Sequence, residues 1–241
     1  MVKHDLTYAI FIDYDNLEKP QKMAGLLDVI TKVLMQVPID ITVSRVKCDV
    51  RVYGGWYDGT QITRLAQDVT VQIQQEFPKV LRFPISGERY LFVSVNVELA
   101  AALLQEPSHH LFNTFRRKGK PSNVRILEPN VVGCTDPDCI LPLVKKVLKT
   151  GSCPKFGCAV TVDNLVYRNE QKIVDTMLSC DLIHASKVGY DIVILVSGDD
   201  DFIPPLRTVL LQGTMAVRFH PKANCQRVAF PQGSQLIEKD L

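Results

Sequence analysis

The chain has 241 residues, of which 46% are hydrophobic and 22% charged, and its formal net charge is +2. This composition is typical of one folded domain, or of one domain with a small insert, and it excludes a disordered chain. The near-neutral charge excludes a strongly basic protein, so any binding of nucleic acid has to depend on local patches.

The apolar segments also limit where the protein works. No apolar run is long enough to span a bilayer, so we expect no membrane partner. We expect no secretory signal either, because the first apolar segment is short and ends in Asp13. Seven cysteines, an odd number, then indicate reduced thiols or metal ligands in a cytoplasmic protein.

Strand and helix patterns alternate through the first hundred residues. Leu6 to Ile12 predicts a strand that runs directly into a cluster of polar residues, Asp13-Tyr14-Asp15-Asn16. The patterns that follow predict a helix over 22–36, a strand over 41–53, a helix over 62–73, a strand over 89–98 and a short helix over 99–104.

Two aromatic residues, Trp56 and Tyr57, follow the predicted strand that ends at Tyr53. Such a pair could cap the core or stack on a base. We favour core packing for Trp56, because aromatic side chains fill cores more often than they bind nucleotides.

The middle of the chain is less regular. Residues 107–123 predict a loop or a frayed helix that carries the basic run Arg116-Arg117-Lys118-Gly119-Lys120, and 123–127 predict a strand. The basic run suits contacts with phosphates, although a solvated loop explains it equally well.

Two cysteine pairs flank a predicted helix over 140–149. They are Cys134-x4-Cys139 and Cys153-x4-Cys158. Two such turns are typical of a structural zinc site with four thiolate ligands, which leaves no open coordination position for catalysis. Buried free cysteines and redox-active thiols remain the alternatives.

Acidic residues interrupt the predicted helix over 170–187. Asp181 lies in the middle of its apolar face and Asp175 at the edge of that face. A carboxylate on a buried face is costly unless it is paired or coordinated. The alternative is that both are surface acids beside a slightly displaced apolar stripe.

The segment IVILVSGDDDFIP, residues 192–204, carries the strongest signal. Its first five residues predict a strand buried on both faces, and Asp199, Asp200 and Asp201 follow Ser197-Gly198. Carboxylates packed together repel one another, so a bound cation would explain them, whereas the alternative is a solvated acidic turn before a helix. A helix over 206–211 and a strand over 215–219 follow, and 221–241 predict no element.

Alternating strands and helices with acids at strand ends predict a doubly wound α/β sheet. Three segments of this pattern resemble the signature motifs of the NYN-domain nucleases, a branch of the PIN-like superfamily: FIDYDNL (11–17), EQKIVDTMLSCDL (170–182) and LVSGDDDFIPPL (195–206). RVYGGWYDG (51–59) also resembles a stretch of some bacterial members. The resemblance implies a single domain over 1–241 with a mainly parallel sheet and helices on both faces. The four-cysteine segment, at 130–160, lies between the first and second motifs as an insert.

The resemblance also implies a ribonuclease that depends on Mg²⁺ or Mn²⁺ and hydrolyses phosphodiester bonds of RNA. Internal cleavage is expected, although cleavage from an end stays open. The residues implied as metal ligands are Asp13, Asp175, Asp199 and Asp201, with Asn16 and Asp181 in support. Asp15 and Asp200 are expected to be peripheral.

Three other interpretations stay open. Asp13-x-Asp15 after an apolar run resembles the nucleophile motif of haloacid-dehalogenase phosphatases, although Leu17 stands where that motif has Thr or Val. A non-catalytic RNA-binding module on the same fold is the second, although a binder gains nothing from acids that repel phosphates. A nuclease acting on DNA is the third, because no residue identifiably selects the 2′-hydroxyl of RNA. The oligomeric state is also open.

Overall fold

The computed structural model describes residues 5–38, 43–86, 89–118, 138, 140–166, 168–171, 173–223, 227 and 236–241. The chain forms two compact units. The first combines Met1–Thr114 with Gln171–Leu241, and the second is Phe115–Glu170, which includes the predicted insert at 130–160.

The described elements alternate between strands and helices along the chain. The strands are β1 (Leu6–Asp13), β2 (Arg45–Tyr53), β3 (Tyr57–Asp58), β4 (Gln61–Ile62), β5 (Lys79–Ser86), β6 (Arg89–Leu99), β7 (Ala102–Leu103), β8 (Glu106–His110), β9 (Phe115–Lys118), β10 (Arg168–Gln171), β11 (Ile192–Val196), β12 (Met215–His220) and β13 (Leu236–Asp240). The helices are α1 (Lys19–Ala24), α2 (Leu26–Gln36), α3 (Arg64–Glu76), α4 (Leu141–Thr150), α5 (Val162–Leu165), α6 (Val174–Val188) and α7 (Ile203–Leu211), with a 3₁₀ turn at Asp200–Phe202.

A seven-stranded sheet forms the centre of the first unit. Its strand order is β13-β12-β11-β1-β2-β6-β5, and all neighbours are parallel except β5, which is antiparallel to β6. From β1 the chain proceeds outward through β2 and β6, and from β11 it proceeds to the opposite edge through β12 and β13. The reversal therefore lies between β1 and β11, and ligands of such sheets bind at the carboxyl ends of the strands at this point.

Alternating residues of β1 belong to two different apolar layers. Tyr8, Ile10 and Ile12 pack with residues of α2 and α3 on one face of the sheet. Ala9 and Phe11 pack with residues of α6 and α7 on the other. Because successive side chains of a strand point to opposite faces, Asp13 lies on the α6 side of the sheet.

The predicted class, a mixed α/β fold with a mostly parallel sheet, is confirmed. The predicted helix over 22–36 is wrong in one respect, because it is two helices that meet at Gly25. The backbone there has φ of +92°, a left-handed conformation that favours glycine and ends a helix.

The predicted helix over 99–104 is wrong. β7 pairs with β8 in an antiparallel hairpin instead. The backbone N–H of Ala100 donates to Val52 O and that of Leu111 donates to Ala101 O. Tertiary hydrogen bonds thus outweigh the helix propensity of an alanine- and leucine-rich segment.

Other boundaries also differ. Edge strands β5 and β13 had no predicted counterpart, and the helix expected from residue 170 begins at Val174, after β10. The predicted strand over 123–127 lies outside the described residues. Among the helices that the structure describes, none is long and apolar enough to cross a membrane.

The second unit contains β9, α4, α5 and β10 as far as Glu170. The predicted helix over 140–149 is confirmed as α4. Cys153 and Cys158 follow it as free, partly exposed thiols, whereas Cys134 and Cys139 lie outside the described residues. The structural zinc site therefore stays a prediction.

Candidate active site

The carboxyl ends of β1 and β11 bring two predicted acidic segments together. Ile12 pairs with Val196 in the parallel register, so Asp13 and Ser197 are the next residues of neighbouring strands. The buried Ser197 hydroxyl donates a hydrogen bond to Asp13 Oδ2 over 2.9 Å. Asp13 is itself buried, so this contact fixes one carboxylate oxygen at the point where the sheet order reverses.

Asn16 joins the loops that follow the two strands. Its Oδ1 accepts a hydrogen bond of 3.0 Å from the backbone N–H of Gly198. Its own backbone N–H donates to Asp13 Oδ1 over 3.4 Å. A Cβ at residue 198 would lie 3.2 Å from Asn16 Oδ1, so the close approach of the loops favours glycine there. Asn16 thus orients the predicted site through its amide oxygen.

Asp199 begins the 3₁₀ turn on the β11 side. Its Oδ1 accepts a hydrogen bond of 3.0 Å from the backbone N–H of Asp201, and its own N–H donates to Ser197 Oγ over 3.1 Å. The Ser197 hydroxyl therefore connects Asp13 with Asp199. Sequence reasoning did not assign Ser197 a role, although it shares the strand face of Val193 and Leu195 and follows them directly.

Asp200 has a different partner. Its carboxylate lies 3.1 Å from Nη2 of Arg218, a buried residue of β12. Arg218 Nε also donates to Ser197 O over 3.1 Å, and its Nη1 lies 3.5 Å from Glu238. Arg218 thus holds the strand end and the turn together. A charged residue within the apolar strand over 215–219 was the sequence signal for this role.

Asp175 lies in the first turn of α6, which packs against β1 and β11. Its side chain is exposed, yet partial desolvation and the charges of Asp199, Asp201 and Asp15 raise its pKa. Burial raises the pKa of Asp13 to about 6, with smaller contributions from the charges of Asp175 and Asp15, while the hydrogen bonds from Ser197 and Asn16 oppose the rise. These acids therefore repel one another across the switch point.

Asp15 is also close enough to affect this cluster. Desolvation raises its pKa, and the charge of Lys22 opposes the rise. Its side chain is exposed, so water screens its charge more than that of Asp13.

Asp181 is not part of this cluster. It lies six residues after Asp175 on α6 and is 1% exposed. Its carboxylate accepts hydrogen bonds from Arg51 Nη1 at 2.5 Å, Tyr53 Oη at 2.7 Å and the backbone N–H of Leu104 at 2.8 Å. Burial raises the pKa of Asp181, while these donors and the Arg51 charge oppose the rise. The cost expected of a buried acid is therefore offset by partners within the protein.

The chemistry of the four acids suits a hard divalent cation. Mg²⁺ and Mn²⁺ bind carboxylate oxygens, and a cation would offset the mutual repulsion that raises the pKa of Asp13 and Asp175. Among the residues that the structure describes, no group of three or more His, Cys, Asp or Glu lies close enough to hold a metal ion. Asp175 and Asp201 are exposed, so rotation of their side chains could complete a ligand set at little cost.

Comparisons of the chain with models of protein families, with curated proteins and with solved structures give no match. A function is therefore inferred from the geometry at the switch point and from the motif resemblance.

Proposed function

We propose that this chain is a metal-dependent ribonuclease with a PIN-like (NYN) fold. The observation that supports it most is the group of acids at the reversal of strand order. Burial raises the pKa of Asp13 there, and the charges of Asp199 and Asp201 contribute to the raised pKa of Asp175. A site that only bound RNA would be weakened by carboxylates that repel phosphates.

Asp13, Asp175, Asp199 and Asp201 would hold Mg²⁺ or Mn²⁺. When bound, the cation would supply activation of water and stabilisation of the charge that develops on the phosphodiester oxygens. These four carboxylates come from β1, α6 and the turn after β11, so three separate elements of one face contribute to the site.

Neighbouring residues orient these carboxylates. Ser197 fixes one oxygen of Asp13, Asn16 ties the β1 loop to the β11 loop, and Asp199 holds the backbone of the turn. Asp13 and Asp199 are therefore held before a cation arrives, whereas Asp175 and Asp201 would have to turn toward it. Asp181 supports the site only through the packing of α6.

The test is cleavage of a panel of single-stranded and structured RNAs with Mg²⁺, Mn²⁺ or EDTA. Asp199→Asn is expected to lose cleavage, because a neutral amide is a poor ligand for a hard cation. Asp200→Asn is the matched control, since its carboxylate pairs with Arg218 one residue along the same turn. Asp200→Asn is expected to keep most of the activity.

Four outcomes would contradict this proposal. Cleavage that persists in EDTA would exclude a metal-dependent reaction, and cleavage that persists in Asp199→Asn would remove Asp199 from the reaction. Activity on p-nitrophenyl phosphate alone would favour a phosphatase. Cleavage of single-stranded DNA but not of RNA would favour a deoxyribonuclease.

The basic run from Arg116 to Lys120 gives a separate prediction. Reversing the charges of Arg116, Arg117 and Lys120 is expected to weaken RNA binding and to flatten the slope of log affinity against log salt. For a single strand, the slope should change by about 0.7 for each phosphate that the protein no longer neutralises. The measurement is a salt titration by fluorescence anisotropy. A slope that stays the same would show that this run does not bind phosphates.

A further inference from the structure

Three aromatic rings form an accessible cluster in the first unit. They are Tyr57 of β3, His110 of β8 and Phe112, and we call them the aromatic platform. Phe112 is 41% exposed, His110 is exposed and Tyr57 is partly exposed. The ring centroids of Tyr57 and Phe112 are 5.2 Å apart at an interplanar angle of 89°, and those of His110 and Phe112 are 6.1 Å apart.

Backbone and buried side chains hold the platform in place. The backbone N–H of Tyr57 donates to the buried Thr114 hydroxyl over 2.9 Å, and that of Asn113 donates to Gly59 O over 3.0 Å. The β7–β8 hairpin is anchored at Ala102 O by Arg51 Nη2 over 2.8 Å. The rings therefore stay exposed on a supported frame, so binding a ligand there would cost little ordering.

The platform lies beside the carboxyl edge of the sheet. Asp13 pairs with Tyr53 at the end of β2, and four residues later the chain reaches Tyr57. Between them, Trp56 is buried, as the sequence favoured, and its ring centroid is 5.7 Å from that of Tyr14, the residue after Asp13. The acids and the platform thus belong to the same end of the sheet.

Cations flank this edge as well. Lys22 Nζ lies 5.2 Å from the ring centroid of Tyr14. Exposed Arg64 follows Thr63, whose backbone N–H donates to Trp56 O over 2.8 Å. Aromatic faces with basic side chains nearby are the combination by which proteins bind single-stranded nucleic acid without reading its sequence.

We propose that the aromatic platform stacks a base of a single-stranded RNA whose backbone passes the acid cluster. This inference rests on the proposed function for its choice of RNA, and it assigns to Phe112 and Tyr57 the positioning of the strand. Stacking accepts any base, because each base has a π face.

The test is binding of fluorescein-labelled oligouridine in EDTA, where metal-dependent cleavage is absent. Phe112→Leu keeps an apolar side chain but removes the ring, and it is expected to weaken binding by about tenfold, whereas Phe112→Tyr retains the affinity. The slope of log affinity against log salt should not change in Phe112→Leu, because no cation is lost. Phe92→Leu is the matched control: Phe92 is 44% exposed and pairs with Arg45 at the amino end of β2.

An oligonucleotide with abasic sugars isolates the base. Wild type is expected to bind it about tenfold more weakly than oligouridine, and Phe112→Leu should cause no further loss with this ligand. Absence of oligouridine binding by wild type, or equal affinities for Phe112→Leu and wild type, would overturn the platform. Circular dichroism of each variant would check that it is folded.

The same preparations separate this inference from the function on which it rests. Oligouridine binding that depends on Phe112, without cleavage of any RNA in Mg²⁺ or Mn²⁺, would retain the platform and reject the ribonuclease. If RNA is cleaved in a metal-dependent way, but oligouridine affinity is the same in Phe112→Leu as in wild type, the ribonuclease proposal would stand and the role of the aromatic platform would be rejected.

Discussion

Replacing Asp13 by Asn is expected to abolish RNA cleavage and at the same time to stabilise the metal-free protein. The pKa of buried Asp13 is raised from 3.8 to about 6, so folding disfavours its ionised form. A pKa about two above its ordinary value corresponds to about 3 kcal/mol at neutral pH. The asparagine has no charge to desolvate, and its amide oxygen can still accept the hydrogen bond from Ser197.

The sign of the effect fixes its pH dependence. Between pH 3.8 and about 6 the folded wild type binds a proton that the unfolded chain releases, so its stability falls as pH rises through this window. The stability of Asp13→Asn should not fall in this way, because the asparagine side chain does not ionise. We expect the two proteins to be about equally stable at pH 3.5 and to differ by about 3 kcal/mol at pH 7.

Urea unfolding in EDTA across this pH range measures the difference in stability between wild type and Asp13→Asn. Asp68→Asn, which replaces an exposed acid of α3, is the control.

Mg²⁺ should then stabilise wild type more than Asp13→Asn, because a ligand stabilises the state that binds it. Equal stabilities of wild type and Asp13→Asn at pH 7 would mean that burying the ionised Asp13 carboxylate does not destabilise the folded protein. Full cleavage by Asp13→Asn would remove it from the reaction.

Local patterns were sufficient to predict the strands that carry the site. The runs in β1 and β11 are largely apolar on both faces, and Asp13 and Asp199 come at or just beyond the ends of these strands. Parallel strands have their carboxyl ends at one edge, so the correct class of fold was enough to place both acids at that edge. It did not show that their strands are neighbours.

Contacts between distant residues were not predictable in this way. No periodicity shows that Ser197 bonds to Asp13, or that Arg218 pairs with Asp200, because each contact depends on which strands are neighbours. The segment over 99–104 shows the same limit. Its composition favours a helix, yet Leu104 N–H donates to Asp181 and the chain forms a hairpin.

For Asp181, the sequence correctly indicated that a buried carboxylate needs a partner, but it did not identify the partner. A carboxylate on a buried helix face needs a partner, and the motif resemblance implied a role in support of the catalytic acids. The partners are Arg51 and Tyr53, which lie on the α6 face of β2. An arginine near the end of the predicted strand over 41–53 was the matching signal, since it too is buried and needs a counter-charge.

Replacing Arg51 by Met is therefore expected to lower the free energy of unfolding by about 3–5 kcal/mol, because it leaves the buried Asp181 without its counter-charge. Glu98 also loses a partner at 2.7 Å, but that carboxylate is 61% exposed and water can solvate it. Urea unfolding at pH 7 measures the loss. Lys47→Met, which breaks the exposed pair with Asp49, is the control and should cost less than about 1 kcal/mol.

Two further variants identify the cause of this loss. Arg51→Met combined with Asp181→Leu removes both charges, and it should recover part of the stability, because the cost of the unpaired charge is gone. The recovery should be incomplete, since the Tyr53 hydroxyl and the Leu104 N–H lose their acceptor. The single variant Arg51→Met should also approach wild type as pH falls, because protonation of Asp181 removes the unpaired charge.

Arg51→Met should also weaken oligouridine binding, since Arg51 anchors the hairpin that presents His110 and Phe112. In the double variant the hairpin still lacks the hydrogen bond to Ala102 O, so its affinity should remain low while its stability recovers in part. A double variant as unstable as Arg51→Met would show that the loss comes from packing and hydrogen bonding rather than from the unpaired charge. Recovery of stability and affinity together would show that Arg51 does not position the platform.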